Sequence, residues 1–324
     1  MRFSLISPVF GRPEEVREFL ESLLLHNQGD FEVILGDGTP GDALAEVLAA
    51  YVGNPRYPLD RVYQEYLPVS DARNRAAMKA QGEYLIFFDS DCIIPPDYLQ
   101  KIDEHLKREP LDLFGGPDRA SAEFNTLQKA ISYAMTAPLT TGGIRGSTTR
   151  IGVYHPRGFN MGVRAEAFHA VSGYDTGLKC GEDVDLSIRL QKAGYRSGLI
   201  PEAFVYHKRR NTLWSFFRQV YRFGAARIDL FVRHRHSLKL THAFPAAFLL
   251  YAVFSLLVLP WSPIPLSLLL AYLLAIALDA TVKNHSIRVG LNAVLATIVM
   301  HAGYGSGFLR NTLEHLIFQR GVRL

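Results

Sequence analysis

Two carboxylates separated by one residue, Asp89 and Asp91, end the apolar run Tyr84-Leu-Ile-Phe-Phe88. A strand buried on both faces does not end in two close acidic groups unless something offsets their repulsion, and a divalent cation does so. Hard oxygen ligands of this kind suit Mg²⁺ or Mn²⁺, which in turn bridge phosphate oxygens. Ligands of open α/β sheets collect at the carboxyl ends of the strands, where this pair falls. A capped turn with solvated aspartates produces the same three residues, and for an isolated Asp-x-Asp it is the commoner explanation. A second acidic pair, Glu182-Asp183, follows Gly181 and opens a polar helix, whose N-terminus stabilises negative charge. Simple helix capping and a carboxylate held ready to take a proton both fit that position. His207 ends a β-rich run and precedes Lys208-Arg209-Arg210; it is placed either for structure, as most lone histidines are, or to complete a metal site or meet a leaving diphosphate. The loops Gly115-Gly116-Pro117-Asp118 and Gly158-Phe-Asn160-Met-Gly162 follow strands and suit the walls of a pocket, although ordinary turns look the same.

Positioning these groups requires a sheet. Runs at Phe3–Phe10, Phe31–Gly36, Arg61–Tyr66, Tyr84–Asp89 and Leu113–Gly116 read as strands, and amphipathic stretches alternate with them, the pattern of an α/β fold with parallel strands. One helix starts at Pro13 with Glu14 and Glu15 in its first turn and places Val16, Phe19, Leu20, Leu23 and Leu24 on one face. Another is expected from Ser70 as cap, through Arg73, Ala76, Ala77 and Ala80, to Gly82. Beyond Asn160 come a helix around 164–171, a turn at Ser172-Gly173, the polar helix 182–193 and a single strand running from Ser197 to His207. No glycine-rich phosphate loop follows the first strand, which argues against nucleotidyl transfer.

The apolar residues of this 324-residue chain are unevenly spread, and they pile up after about residue 243. Segments 243–259 and 263–278 are each long and apolar enough to cross or nearly cross a bilayer, which takes about 17–25 residues per helix. The uncharged link Pro260-Trp-Ser-Pro263 makes them a hairpin, and the charges at Arg233, Arg235, Lys239, Lys283 and Arg288 put both flanks on the cytosolic side. A third stretch, 291–309, carries His301, Gly303, Gly305 and Gly307; if it spans, Arg310, Arg320 and Arg323 lie outside, so a re-entrant or interfacial course stays open. The net charge of +4 could suggest nucleic acid. Its basic residues concentrate between Arg218 and Lys239, directly before the apolar segments, which favours an anionic membrane surface instead. Trp214, Phe216, Phe217, Tyr221 and Phe223, interleaved with Arg218, Arg222 and Arg227, suit a helix lying in the membrane interface or an amphipathic helix packed on the catalytic domain. Met1-Arg2 runs straight into a strand rather than a signal peptide, so the N-terminal region is expected in the cytosol. Two cysteines, Cys92 and Cys180, form no disulfide framework and no metal-ligand spacing, and fit a reducing compartment.

Four blocks, in order, resemble family 2 glycosyltransferases: Ser4-Leu-Ile-Ser-Pro-Val-Phe10, Phe31-Glu-Val-Ile-Leu-Gly-Asp37-Gly38, Ala72-Arg73-Asn74 leading into Asp89-Ser-Asp91, and Gly181-Glu182-Asp183-Val-Asp185-Leu. The resemblance covers most of residues 1–224 and implies a GT-A-type nucleotide-sugar-binding sheet with flanking helices, followed by C-terminal transmembrane helices. It implies a cytosolic glycosyltransferase domain at 1–212, an interfacial basic region at 213–242, transmembrane helices at 243–309 and a basic tail at 310–324. By the same resemblance Pro8, Asp37, Arg73, Asp89, Gln219 and Arg222 bind the nucleotide sugar, with Asp37 on base or ribose; Gly38 stands where members often have a second aspartate. Asp89, Asp91 and His207 hold Mg²⁺ or Mn²⁺, Asp183 is the catalytic base, and Glu182 or Asp185 positions the acceptor. Gly116, Asp118, Asn160 and Asp185 line the sugar and acceptor pocket. Gln219-Val-Tyr-Arg222-Phe223 resembles the Gln-x-x-Arg-Trp element of processive members, with Phe in place of Trp, which does not establish polymer synthesis. The implied activity is transfer, with inversion, from a nucleotide-diphosphate donor such as a UDP-sugar to a lipid-linked or glycan acceptor. The implied partners are that donor, the acceptor and membrane lipids, with no nucleic acid. The competing expectation is a non-catalytic nucleotide-sugar-binding membrane subunit.

Overall fold

A computed structural model describes residues 1–27, 29–119, 124–142 and 154–318, which fall into two compact units, Met1–Ser121 with Gly146–Lys208 and Ala122–Arg145 with Arg209–Leu324. The strands along the chain are β1 (Phe3–Val9), β2 (Phe31–Asp37), β3 (Leu59–Tyr63), β4 (Tyr84–Phe88), β5 (Cys92–Ile93), β6 (Leu113–Gly115), β7 (Asp118–Arg119), β8 (Asn160–Arg164), β9 (Ser197–Leu199) and β10 (Val205–His207). The helices are α1 (Pro13–Leu24), α2 (Ala45–Ala49), α3 (Val69–Lys79), α4 (Tyr98–Arg108), α5 (Thr126–Thr136), α6 (Pro138–Thr141), α7 (Ala165–Ala170), α8 (Glu182–Lys192), α9 (Leu213–Arg233), α10 (Leu240–Val258), α11 (Ile264–Asn284) and α12 (Ile287–Phe318).

The first unit is built on a seven-stranded sheet of order β3-β2-β1-β4-β8-β6-β9. Strands β3, β2, β1 and β4 run parallel, β8 lies antiparallel between β4 and β6, and β9 is parallel to β6. Residues along β4 alternate between two cores, because successive side chains of a strand leave on opposite faces. Tyr84, Ile86 and Phe88 join Phe19, Leu23, Leu99 and Ile102 of α1 and α4. Leu85 and Phe87 join Ala76, Ala77, Phe168 and Leu186 of α3, α7 and α8. Gly36 lets α3 settle on β2, since a Cβ there would lie 2.6 Å from the Ala72 carbonyl oxygen.

Two local expectations change. Helix α3 is capped by Pro68 in an extended conformation, and Ser70 is buried within the first turn. The expected single strand from Ser197 to His207 is two strands in different sheets. Pro201 has no N–H to continue a ladder, and the chain turns there, with Ile200 N–H donating to Gly115 O and Ala203 N–H to Ile200 O. The second piece, β10, becomes the middle of a small sheet of order β5-β10-β7, with His207 registered opposite Cys92.

The second unit is helical, and α5 and α6 belong to it although they lie within the segment expected to be catalytic. Ala130, Tyr133 and Ala137 pack with Ile276, Ala280, Val289 and Ala293. Phe216 and Val220 of α9 pack with Ala296 and Met300 of α12. The α9–α12 contact is close because glycines face backbone: Gly224 meets the Tyr304 carbonyl, Gly303 meets Phe217 and Val220, and Gly307 meets the Tyr221 carbonyl. Three helices, α10, α11 and α12, are long and apolar enough to cross a membrane. They differ in burial: the apolar windows of α10 and α11 are each 11% buried, that of α12 44%. Helix α12 is one continuous element through its glycines and through Arg310; Arg320 and Arg323 of the expected tail lie outside the described residues.

Candidate active site

Strands β1, β2 and β4 are parallel neighbours, so the sheet delivers Pro8, Asp37 and, just after β4, Asp89 to one edge. Arg73, on the buried side of α3, ties Asp89 to α8. Its Nη2 donates to Asp89 Oδ1 at 2.8 Å, its Nη1 to Glu182 Oε1 at 2.9 Å, and Nη2 also lies 3.5 Å from the Gly158 carbonyl. The guanidinium stands over the Tyr174 ring at 5.2 Å and is 3% exposed. Burial works against its charge, but Tyr174, Asp89, Glu182 and Asp183 together hold the pKa above the ordinary arginine value. A planar fork is the side chain that can hold two carboxylates in fixed directions. Burial, and then the charge of Asp183, push the Glu182 carboxyl above its usual range, while Arg73 opposes the shift.

Asp183 is oriented by backbone rather than by a cation. Its Oδ2 accepts the Gly158 N–H at 3.0 Å and its Oδ1 the Val184 N–H at 2.7 Å. It forms no ion pair among the described residues and is partly exposed.

The split of β9 from β10 creates the second cluster. His207 Nε2 lies 3.1 Å from Asp91 Oδ1, and the His207 ring stacks on Phe159 at 4.7 Å. His207 Nδ1 is buried and has no hydrogen-bond partner among the described residues. Ligand atoms of Asp91, Cys92 and His207 fall within 4.8 Å of one another. Cys92 thus reaches a metal-ligand grouping that chain spacing hides, because the grouping forms across the β5–β10 pair. Its thiol is nonetheless kept protonated by burial and by Asp91 and Asp89, and it points at the Phe159 carbonyl, 3.5 Å away. The cluster holds one carboxylate, Asp91, and one imidazole, His207, and Asp89, 40% exposed and two residues before Asp91, brings a second carboxylate; that set fits Mg²⁺ or Mn²⁺, hard ions that take oxygen ligands.

Asp37 is fully buried and already held. Arg61 donates to its Oδ2 through Nε at 2.9 Å and Nη2 at 2.6 Å, and the Thr39 N–H donates to Oδ1 at 2.8 Å. Beside it, a cleft of about 290 Å³ is lined by Pro8, Phe10, Tyr66 and Pro68 among others. Phe10 and Tyr66 are 55% and 68% exposed with ring centroids 6.4 Å apart, and Tyr66 holds a left-handed φ of 57°. Neither ring was singled out in the sequence; the exposed aromatics at the ends of β1 and β3 were the available signal.

Other expected pocket residues serve as internal braces. Asp185 pairs with Arg189 at 2.8 Å, and that guanidinium fixes the Val171 and Gly173 carbonyls. Asn160 accepts from Tyr98 OH and donates to the Ala203 carbonyl at 2.8 Å, the same carbonyl against which Gly116 packs too closely for a side chain. Asp118 is buried in β7, paired with Val205 of β10. Through these bonds Asp185 and Asn160 hold neighbouring loops in place. Gln219 and Arg222 lie on α9 of the helical unit, where Arg222 is exposed.

The family profile described as glycosyl transferase family 2 matches residues 4–171. Succinoglycan biosynthesis protein ExoA of Rhizobium meliloti is 30% identical over 262 residues, covering 78% of this chain and 76% of that protein. Amylovoran biosynthesis glycosyltransferase AmsB of Erwinia amylovora is 28% identical over 215 residues, 63% of this chain and 69% of that one. Among solved structures, the mannosyltransferase PcManGT from Pyrobaculum calidifontis, in complex with GDP-Man and Mn²⁺, superposes with a TM-score of 0.59 at 19% identity, over 97% of this chain and 87% of that chain. TarS 1-349 of S. aureus superposes with a TM-score of 0.51 at 18% identity, over 96% and 91% of the two chains. At these identities the structural likeness speaks for the fold, a mixed α/β sheet of the GT-A kind.

Proposed function

The chain belongs to glycosyl transferase family 2, and from that premise we propose a membrane-anchored, inverting enzyme that moves a sugar from a nucleotide-diphosphate donor, a UDP-sugar first among candidates, to a lipid-linked or polysaccharide acceptor. The observation that carries this reading is the Arg73 fork, which sets the metal-side carboxylate Asp89 and the acceptor-side helix start at Glu182-Asp183 within one residue's reach. In the proposed reaction the base rests in the Phe10–Tyr66 cleft, where an apolar opening between two exposed rings suits a flat heterocycle. A divalent ion held by Asp89, Asp91 and His207 would offset the charge of the departing diphosphate. Asp183, fixed by two backbone N–H groups, takes the proton of the acceptor hydroxyl. The acceptor oxygen bonds to the anomeric carbon as the bond from that carbon to the phosphate oxygen breaks, and the electron pair leaves with the diphosphate. One direct displacement inverts the anomeric centre. Glu182 keeps Arg73 in place during this step.

The acceptor class is supported by relatives named for succinoglycan and amylovoran biosynthesis and by TarS, a poly(ribitol-phosphate) β-N-acetylglucosaminyltransferase. Membrane anchoring is supported by α10 and α11, whose apolar windows are nine-tenths unburied. Positive residues at both outer ends of that hairpin favour a cytosolic catalytic unit. The reading is tested by incubating the full chain, reconstituted in native lipids, with a panel of nucleotide sugars and Mn²⁺. Nucleotide release from one donor, abolished in Asp183→Asn, is the expected result. Donor binding with no release from any donor would instead make the chain a non-catalytic subunit. Orientation is read separately, by impermeant cysteine labelling in sealed cells of single cysteines at position 262, expected to react, and position 197, expected to be protected.

A further inference from the structure

Helix α9 has one face spent on packing and another that is not. Phe216, Val220, Gly224, Ala226 and Leu230 are buried within the helical unit. Beside them Trp214, Phe217 and Tyr221 form a row, with Trp214 and Phe217 stacked at 5.5 Å and 5° and Phe217 and Tyr221 at 6.2 Å, the last two half-buried where α9 meets α12. Trp214 is 67% exposed. One turn apart beside that row stand Arg218 and Arg222, both exposed, and neither meets a carboxylate among the described residues. Tyr221 is anchored from behind by Arg310 at 3.0 Å, so the aromatic row is held in place. Phe217, Arg218, Tyr221 and Arg222 together enclose a hollow of about 260 Å³. Two guanidiniums at i and i+4 with no internal counter-charge present donors in one direction, the arrangement that phosphate oxygens satisfy. Aromatic rings beside them suit a ligand that is anionic at one end and apolar at the other.

We propose that this hollow binds the phosphate headgroup of an anionic membrane lipid, seating α9 on the bilayer surface next to the α10–α11 hairpin of its own unit. The exposed Arg233, Arg235 and Lys239 continue the positive charge from α9 to the start of α10, and this is the charge complementarity that selects a lipid surface over another protein chain. The inference rests on the membrane placement proposed above, and it gives Arg222, which the resemblance assigns to the nucleotide sugar, a headgroup phosphate to hold instead.

The chain's two tryptophans allow the two to be tested apart. Trp214 sits at the edge of the row, and Trp261 sits in the hairpin turn. The full chain is reconstituted in nanodiscs of phosphatidylcholine and phosphatidylglycerol, with bromine carried by one lipid or the other at equal mole fraction. In a Trp261→Phe background, Trp214 should be quenched more strongly by brominated phosphatidylglycerol, with a local enrichment of about fivefold per arginine. Arg218→Gln combined with Arg222→Gln should remove that preference. Equal quenching by both lipids, or a preference that survives the double substitution, would overturn the proposal. A preference abolished by inorganic phosphate or pyrophosphate would also overturn it, since the site would then serve a soluble anion. In a Trp214→Phe background, quenching of Trp261 by either brominated lipid reports the hairpin in the bilayer. Loss of that signal is failure of the membrane placement itself; its presence with an indifferent Trp214 is failure of the headgroup site alone.

Discussion

The two units bury opposite kinds of side chain. In the first, charge goes inside: Arg73 is buried against Asp89 and Glu182, Asp37 against Arg61, and Asp185 against Arg189, while the large apolar residues of the sheet are covered on both faces. In the second, α10 and α11 turn Leu250, Phe254, Leu257, Leu268 and Leu274 outward and bury Ala246, Ser255, Ile276 and Ala280, and glycines of α12 sit where helices touch. A unit folded in water needs every buried charge paired, since an unpaired one in a low dielectric is costly. Lipid removes that pressure on apolar surface, and packing then depends on how closely backbones approach. Helix α12 lies between the two cases: it is about 48 Å long by helix geometry, yet 44% of its apolar window is buried, and α5, α9, α10 and α11 all pack on it. That covering makes it as much the core of the helical unit as a candidate span.

The largest test of the first unit's design is the base. Asp183→Asn keeps the side chain's shape and, with a single acceptor oxygen, one of its two backbone hydrogen bonds, but it cannot take a proton, so turnover should fall by about 10²–10⁴-fold while donor affinity stays within a few fold. Initial rates and donor titration on the same preparation separate the two, and wild-type turnover would remove Asp183 from the mechanism. Next comes the fork. Arg73→Met leaves Asp89 and Glu182 facing each other without their cation, and should lower stability by about 3 kcal/mol, the low end for a broken buried pair because Asp89 is partly solvated. Arg73→Lys restores charge but not the fork, so it should recover only part of that loss in the same denaturant titration.

Much of this arrangement was legible in the sequence where the signal is local. Apolar runs that stop at Asp37 and Asp89, the Pro13 helix start and Gly181 before Glu182 each announce an element end within a few residues, and each is found there. What escaped depends on partners far along the chain. Nothing beside Asp37 in the sequence points to Arg61, 24 residues later, which holds its carboxylate. Cys92 has no ligand spacing until β10 pairs with β5. The partners of Asn160 and Asp185, Tyr98 and Arg189, are likewise not marked by the sequence. The charges beyond residue 309 leave a re-entrant or interfacial course open for the third apolar stretch, and the close approach of its glycines to the α9 backbone is set by α9 and not by their own neighbours in sequence.

Those glycines give a test of the second unit. A Cβ at Gly307 would press on the Tyr221 carbonyl, so Gly307→Ala should destabilise the protein in detergent by about 1–3 kcal/mol, the usual range for overpacking, in spite of alanine's better helix propensity. Leu257→Ala on the outward face of α10 should shift the same melting curve far less. A reversed order would mean that the helices are held by their outer surfaces and not by close backbone contact.

The smallest effect is expected where the first unit breaks its own rule. His26 is buried beside Phe31, and neither ring nitrogen has a hydrogen-bond partner among the described residues. Burial lowers its pKa to about 4; the nearby Asp97 opposes the shift and Arg56 adds to it. The imidazole is therefore neutral in the folded protein while the unfolded chain takes up a proton near the ordinary value of 6.5. Because the folded pKa is the depressed one, the stability contribution is full above about pH 6.5 and is lost as pH falls toward 4. At pH 5 the unfolded chain gains about 2 kcal/mol from protonation that the folded one does not. His26→Leu removes the titrating group and the unpartnered nitrogens together. Whatever the variant's stability at pH 7, its difference from wild type should move by about 2 kcal/mol in its favour between pH 7 and pH 5, because every other titrating group is common to both proteins. Denaturant unfolding at the two pH values measures that change. A difference that stays constant would mean that His26 finds a partner or a proton in the folded state.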